Sequence, residues 1–258
     1  MSSTFLLGAL VLWKRELVRF FRERSRIGSA LGSPLIFWLM IGSGVGSSFV
    51  AVGPAGESMG YLEYFFPGTV LLVLLFTAIF STISIIEDRK EGFLQAVLIS
   101  PIPRSSFVLG KLLGGTSLAM IQGALFMLLA PLAGIPLSAI PSVLVIAALV
   151  SFGLTALGYI IAWKLDSTQG FHGIMMLLLL PMWFLSGAVF QASTAPAWLR
   201  AVVRINPVAY GLSAMRWSIY GASPATANLP GQAVSLAVSV AFTAFMFGCA
   251  ILVTRRPA

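Results

Sequence analysis

Six apolar runs, each close to the length that crosses a bilayer, leave this chain few ways to fold. They lie at about 34–52, 66–86, 108–130, 141–163, 173–190 and 231–253. Crossing about 30 Å of hydrocarbon takes about 20 helical residues. Charge points the same way: 9% of the residues are charged, against about 25% in a typical soluble domain. Mean hydropathy is +0.97. The expected fold class is an all-α integral membrane protein, one domain over 1–258, with six transmembrane helices.

Orientation follows from the basic residues. Counted by side, thirteen Lys and Arg flank one set of loops and three, Arg200, Arg204 and Arg216, the other. Cytoplasmic loops carry the basic excess, so both termini are expected in the cytoplasm of a multi-pass cell (plasma or inner) membrane protein. The net charge of +8 is read as this bias, and no nucleic-acid partner is expected.

No signal peptide is expected at the start, because the short apolar stretch precedes the charges rather than following them. Residues 4–26 read as an amphipathic interfacial helix. Trp13, Leu17, Phe20 and Phe21 recur on one face, for lipid. Arg15, Arg19, Arg22 and Arg26 recur on another, towards anionic headgroups. Membrane lipid is thus an expected partner. The long segment 191–230 is still apolar and holds two proline-led starts, at Pro196 and Pro207. It reads as a short external, re-entrant helical hairpin, with Trp198, Tyr210 and Trp217 as interface anchors.

Absences narrow the chemistry. None of the eight acidic residues, and no Lys or Arg, sits centrally in a run. The chain is therefore read as free of buried charge, against ion-coupled transport. One histidine, His172, and one cysteine, Cys249, build neither a metal cluster nor an activated nucleophile. No catalytic residue and no metal is expected. Gly110-Lys111 is followed by Leu112, and Ser105 stands where a phosphate loop needs glycine. With no nucleotide cradle, a pump of this kind draws its energy from another subunit. Polar residues in the runs are mild. Gln122, Ser81 and Thr82 are candidates for a pathway or for helix packing.

Residues 87–111 read EDRKEGFLQAVLISPIPRSSFVLGK. This segment resembles the type-2 permease family of ABC transporters, in particular the membrane subunits of daunorubicin-type and nodulation-type exporters. The acidic-basic cluster Glu87, Asp88, Arg89, Glu91, then Gly92, the apolar stretch from Leu94, the turn with Pro101, Pro103 and Arg104, and Gly110-Lys111 carry the likeness. So do LSGAVF at 185–190, Pro196 to Leu199, and NPVAYGLSAMRW at 206–217. The resemblance implies a second permease copy or close paralogue, and two copies of an ABC ATPase subunit that hold the ATP and Mg. This chain itself would hold no cofactor. It also implies an ATPase-coupling segment over 87–107, with Glu87, Asp88, Arg89, Glu91, Gly92, Phe93, Leu94, Pro101 and Arg104. Arg15, Arg19 and Arg22 would belong to a connecting helix, and Asn206, Pro207 and Tyr210 to an external gate. Read from the residues, the charges of 87–107 are available to a partner, and Phe93, Leu94, Val97 and Leu98 offer it an apolar face.

The function expected is the permease subunit of an ATP-driven exporter of an amphipathic drug, lipid or glycan. The alternatives are a secondary transporter or channel working without an ATPase, and a membrane scaffold or enzyme without vectorial transport.

Overall fold

A computed structural model describes residues 2–22, 24–46, 50–52, 58–191, 195–226 and 229–255. Eleven α-helices follow in chain order among them: α1 (Ser2–Arg22), α2 (Arg24–Gly46), α3 (Tyr61–Phe80), α4 (Ile83–Lys90), α5 (Phe93–Ile99), α6 (Arg104–Met127), α7 (Ile140–Lys164), α8 (Thr168–Phe184), α9 (Ala197–Ile205), α10 (Pro207–Tyr220) and α11 (Gln232–Arg255). An antiparallel ribbon, β1 (Val50–Val52) with β2 (Ser58–Gly60), joins α2 to α3, with Val50 opposite Gly60.

Among the described residues, four helical stretches are long and apolar enough to cross a membrane: Tyr61–Lys90, Arg104–Met127, Leu137–Lys164 and Gln232–Arg255. The sequence suggested six. Of the first expected run, 34–52, the helix takes only the part up to Gly46, and its apolar core is Pro34–Gly44. Residues 47–49 lie outside the described residues, and Val50–Val52 pair as strand. The fifth run yields α8, 17 residues, about 25 Å at a rise of about 1.5 Å per residue.

The centre is α3, whose Phe65, Leu71, Leu74, Leu75, Ala78 and Ile79 are all sealed. It packs against α2, α6 and α7. Rings interlock here. Trp38 meets Phe66 and Phe126 edge-on, and Phe66 stacks on Phe126 at 5.3 Å. The α3–α4 stretch is interrupted at Ser81 and Thr82, whose hydroxyls donate to the carbonyls of Ala78 and Ile79. Such back-bonding competes with the helix ladder and bends it.

The first helix is not laid out as its sequence suggested. It docks along α6. Ala9, Leu12, Glu16 and Phe20 form its buried stripe, and Trp13 donates its indole N–H to Ser117 at 2.9 Å. The apolar face left open is Leu6, Leu7, Leu10, Val11, Val18 and Phe21. Thus Trp13 and Phe20 face protein rather than lipid. The cause is a notch on α6. A Cβ at Gly110 would lie 2.8 Å from the Ala9 carbonyl oxygen, and one at Gly114 2.7 Å from Glu16 Cβ. Bare backbone there lets two helices meet closely. The helix also ends at Arg22, so Arg26 belongs to α2; its side chain, with that of Arg24, lies outside the described residues, as does Arg256.

Candidate functional site: a sealed ion-pair cluster beside an aromatic cavity

Three helices bring their charges to one point. Glu16 sits on the buried stripe of α1, Asp88 in the last turn of α4, and Lys111 two turns into α6. Lys111 Nζ donates to Glu16 Oε1 at 2.7 Å, to Ser84 Oγ at 3.1 Å, and to Asp88 Oδ2. An ammonium has three donors, and all three are used. Asp88 accepts from Arg15 Nη1 at 3.1 Å and Nη2 at 2.7 Å, from Arg19 Nη1 at 3.2 Å, and from Lys111. A carboxylate offers about four lone-pair sites, so it too is saturated.

Arg19 then reaches Glu87 at 2.8 Å and Glu91 at 3.7 Å. The Arg15 guanidinium lies 3.7 Å over the Phe93 ring. Burial of Arg15 works against its charge, and its bonds to Asp88 outweigh that, leaving its pKa raised. Three cations, Arg15, Arg19 and Lys111, thus face the carboxylates of Glu16, Glu87 and Asp88, with Glu91 at the exposed edge. Paired, hydrogen-bonded charge is the form in which burial is tolerable.

The expectation of a chain free of buried charge therefore fails. Glu16, Asp88, Lys111 and, at the far end of the fold, Arg216 are all buried. The signal that was readable is Glu16. It falls in register with Ala9, Leu12 and Phe20, so a helix that buries this stripe buries a carboxylate and must supply it with a cation.

The segment 87–107, expected to couple to an ATPase, resolves into parts with different contacts. Glu87 and Asp88 are engaged by α1. Arg89 donates to the carbonyls of Trp163 and Leu165, the latter at 3.1 Å, and to Asp166 at 2.7 Å, closing the end of α7. Arg104 does the same for α11, donating to Thr254 O at 3.2 Å and Arg255 O at 2.9 Å. Cations at helix C-termini complement exposed carbonyls and the helix dipole. Each of these charges thus has a partner within the chain. Gly92, at φ +77°, turns the chain from α4 into α5. Leu94 is buried and Phe93 lies half-buried under Arg15. What α5 leaves open is Gln95, Ala96 and Ile99, followed by Pro101.

Beside the cluster lies a cavity of about 660 Å³, walled by Phe20, Pro34, Phe37, Phe76, Phe80 and Trp183, from α1, α2, α3 and α8. Glu16, Arg19, Ser84 and Glu87 of the cluster also line it, as do Thr168 and His172. His172 stacks on Phe80 at 5.0 Å, and its Nδ1 is 2.9 Å from Thr168 O. Ser81 lines the cavity, whereas Thr82 is buried against the α7 backbone at Gly158. Gln122 also lines it; one end of its amide is held by the Thr77 hydroxyl.

At the opposite end, Asn206 caps α10. Its Oδ1 accepts from Val208 N at 3.0 Å, and its Nδ2 donates to Met182 O at 2.6 Å. Pro207 takes the first helical position, where its missing N–H costs nothing. Tyr210 donates to Arg204 O at 2.8 Å. These three fasten α9, α10 and α8 together. The residue missed at this end is Arg216. It donates to Gly187 O at 3.0 Å and lies 4.1 Å over the Tyr64 ring.

With this geometry in place, comparison with known proteins is informative. The sequence profile of the family described as ABC-2 type transporter matches residues 9–220. The chain belongs to the ABC-2 type transporter family. It is similar to the transport permease ycf38 of Cyanophora paradoxa, 25% identical over 84% of this chain and 75% of that protein. It is similar to nodulation protein J of Sinorhizobium fredii, 27% identical over 89% and 85%. The daunorubicin resistance ABC transporter permease protein DrrB1 of Streptomyces coeruleorubidus is 25% identical over 73% and 66%. The ABC-2 match spans the cluster, the cavity wall and α10. This ABC-2 chain is a transport permease, and among its described residues no group of three or more metal-ligating side chains comes together.

Proposed function

We propose that the chain is the membrane subunit of an ATP-driven exporter, working with a separate ABC ATPase that holds the ATP and Mg. Two ATPase copies would serve two permease copies, identical or paralogous. In this reading α2 and α8 complete six crossings, both termini are cytoplasmic, α9 and α10 lie at the outer side, and the protein resides in the cell (plasma or inner) membrane. The cargo class is an amphipathic drug, lipid or glycan.

One observation supports this reading above the others. The short helix α5 is clamped from behind and open in front. Its rear is fixed by Leu94, by Arg15 over Phe93, and through Gly92 by the charged cluster. Its front carries Ile99, 88% exposed, with Gln95 and Ala96. A partner pressing on that front moves a body already bonded to α1, α4 and α6. Closure of paired ATPases on ATP would bias the permease between two arrangements by its differential affinity for them. The cavity, sharing Glu16, Arg19, Ser84 and Glu87 with the cluster, would change shape with it.

The test is co-purification of the tagged chain with an ATPase from its genomic neighbourhood, with Ile99→Asp as the variant. The expected result is a stable complex, lost in the variant while the permease still inserts. Gradient-driven accumulation of a solute by vesicles holding the chain alone would refute the reading.

A further inference from the structure

The side of α1 turned away from α6 carries a mixed apolar and basic face. Leu7, Val11, Lys14, Val18 and Arg22 follow at intervals of four, three, four and four residues, the spacing that keeps side chains on one side of a helix. All five are exposed. Four of them, Val11, Lys14, Val18 and Arg22, line a groove of about 720 Å³ together with Arg15, Arg19 and Glu91.

The charges of this groove differ in what they hold. Arg15 is bonded to Asp88 and Arg19 to Glu87, and Glu91 has Arg19 at 3.7 Å. Lys14 and Arg22 make no ion pair and no side-chain hydrogen bond among the described residues. The positive charge still unmatched is theirs. An occupant must therefore bring negative charge to Lys14 and Arg22. It must also cover Leu7, Val11 and Val18, with Leu10 and Phe21 open alongside. An anionic phospholipid does both, setting phosphate on the cations and acyl chains on the apolar residues. An acidic protein surface meets only the first demand.

The spacing narrows the headgroup. Lys14 and Arg22 lie eight residues apart, about 12 Å along the helix axis, with Val18 between them. One phosphate reaches both only if both long side chains fold back over Val18. Two phosphates joined through a glycerol meet one cation each.

The geometry points to a docking site on the outer face of α1 for a phospholipid with two phosphates, of the diphosphatidylglycerol class, with Lys14 and Arg22 as its phosphate partners. The bound lipid covers the open side of the helix that supplies Arg15, Glu16 and Arg19 to the ion-pair cluster, and stabilises the folded chain by mass action. Such a site needs neither a cargo nor an ATPase, so it stands or falls apart from the export reading.

The test is native mass spectrometry of the full chain in detergent, titrated in turn with diphosphatidylglycerol, phosphatidylglycerol and phosphatidylcholine. The expected order of affinity is the order of that series. Lys14→Gln and Arg22→Gln should each weaken diphosphatidylglycerol about five- to tenfold, and the double variant should hold it no better than phosphatidylglycerol. Lys14→Arg and Arg22→Lys should retain it. Both residues are exposed, so the unfolding midpoint without lipid should not change in the variants, while its rise on adding diphosphatidylglycerol should be lost in the double variant. Removing two other exposed cations, Lys90→Gln with Lys164→Gln, should leave binding as it was. Equal affinity for the two anionic lipids, an equal loss in the Lys90 and Lys164 control, or a Lys14 and Arg22 double variant that keeps the lipid but no longer recruits an ATPase would each overturn the inference.

Discussion

Lys111 Nζ lies 2.7 Å from Glu16 Oε1, with both side chains closed to solvent. This contact ties the amino-terminal helix to α6 and, through Asp88, to α4. Removing one charge from a saturated buried cluster leaves the others uncompensated, at a cost of about 3–5 kcal/mol. Asp88→Asn is the sharpest case, since Asp88 faces three cations. We expect a large drop in the thermal midpoint of the detergent-solubilised protein. Replacing both members of the inner pair, Asp88→Asn with Lys111→Met, should cost less than the sum of the single changes, because the residues share partners. Simple additivity in a double-mutant cycle would show that the contact is not coupled.

Arg89 and Asp166 form an ion pair at 2.7 Å, but its two sides are unequal. Asp166 is 88% exposed, and Arg89 19%. An exposed carboxylate contributes about 0–1 kcal/mol to such a pair. The stabilising contacts of Arg89 are to the carbonyls of Trp163 and Leu165 at the end of α7. Asp166→Asn should therefore leave unfolding and transport unchanged. Arg89→Ala should lower stability by about 1–3 kcal/mol, the cost of stripping partners from half-buried carbonyls. Arg89→Lys, which keeps the charge but loses the planar guanidinium fork, should fall between. Unfolding midpoints of the three variants decide the ranking.

Much of this architecture was legible in the sequence, and the misreadings share a cause. Long apolar runs gave α3, α6, α7 and α11 with small errors at the ends, because length and composition need no partner. The short helices at Pro196 and Pro207 were legible because proline marks a helix start locally. Which face of α1 is buried was not legible. Trp13 and Phe20 suit lipid and protein equally, and the choice was made by Gly110 and Gly114 almost a hundred residues away. The fate of Lys111 was hidden for the same reason: its partners come from α1 and α4. Gln122 was recognisable as a polar residue that must face a helix or a passage; the structure has it do both.

The seating of α1 depends on the two glycines of α6. An added methyl at Gly110 meets the backbone carbonyl of Ala9 at 2.8 Å, and backbone cannot rotate aside. At Gly114 the obstacle is the Glu16 side chain, at 2.7 Å from its Cβ, which moves only by breaking its bond to Lys111. Gly110→Ala should lift the first half of α1, and Gly114→Ala should disturb the cluster. Hydrogen exchange by mass spectrometry should show faster exchange in peptides of α1 for both variants, with α3 and α7 unaffected. Unaltered protection of α1 in Gly110→Ala would mean that the close approach is not needed.

Gly92 is the joint between the clamped end of α4 and the exposed front of α5. Its φ is +77°, and a Cβ there would meet nothing within 4 Å. Any effect of substitution thus comes from the backbone, where a left-handed conformation costs a non-glycine residue about 1–2 kcal/mol. Asn tolerates that region better than Ala. Gly92→Ala should therefore reduce transport in the assembled complex while leaving membrane insertion and the Lys111–Glu16 contact in place, and Gly92→Asn should retain more activity than Gly92→Ala. The comparison separates conformation from contact: if both variants transport as well as the native chain, α5 does not need its present angle to pass on a push, and the coupling must run through α1 instead.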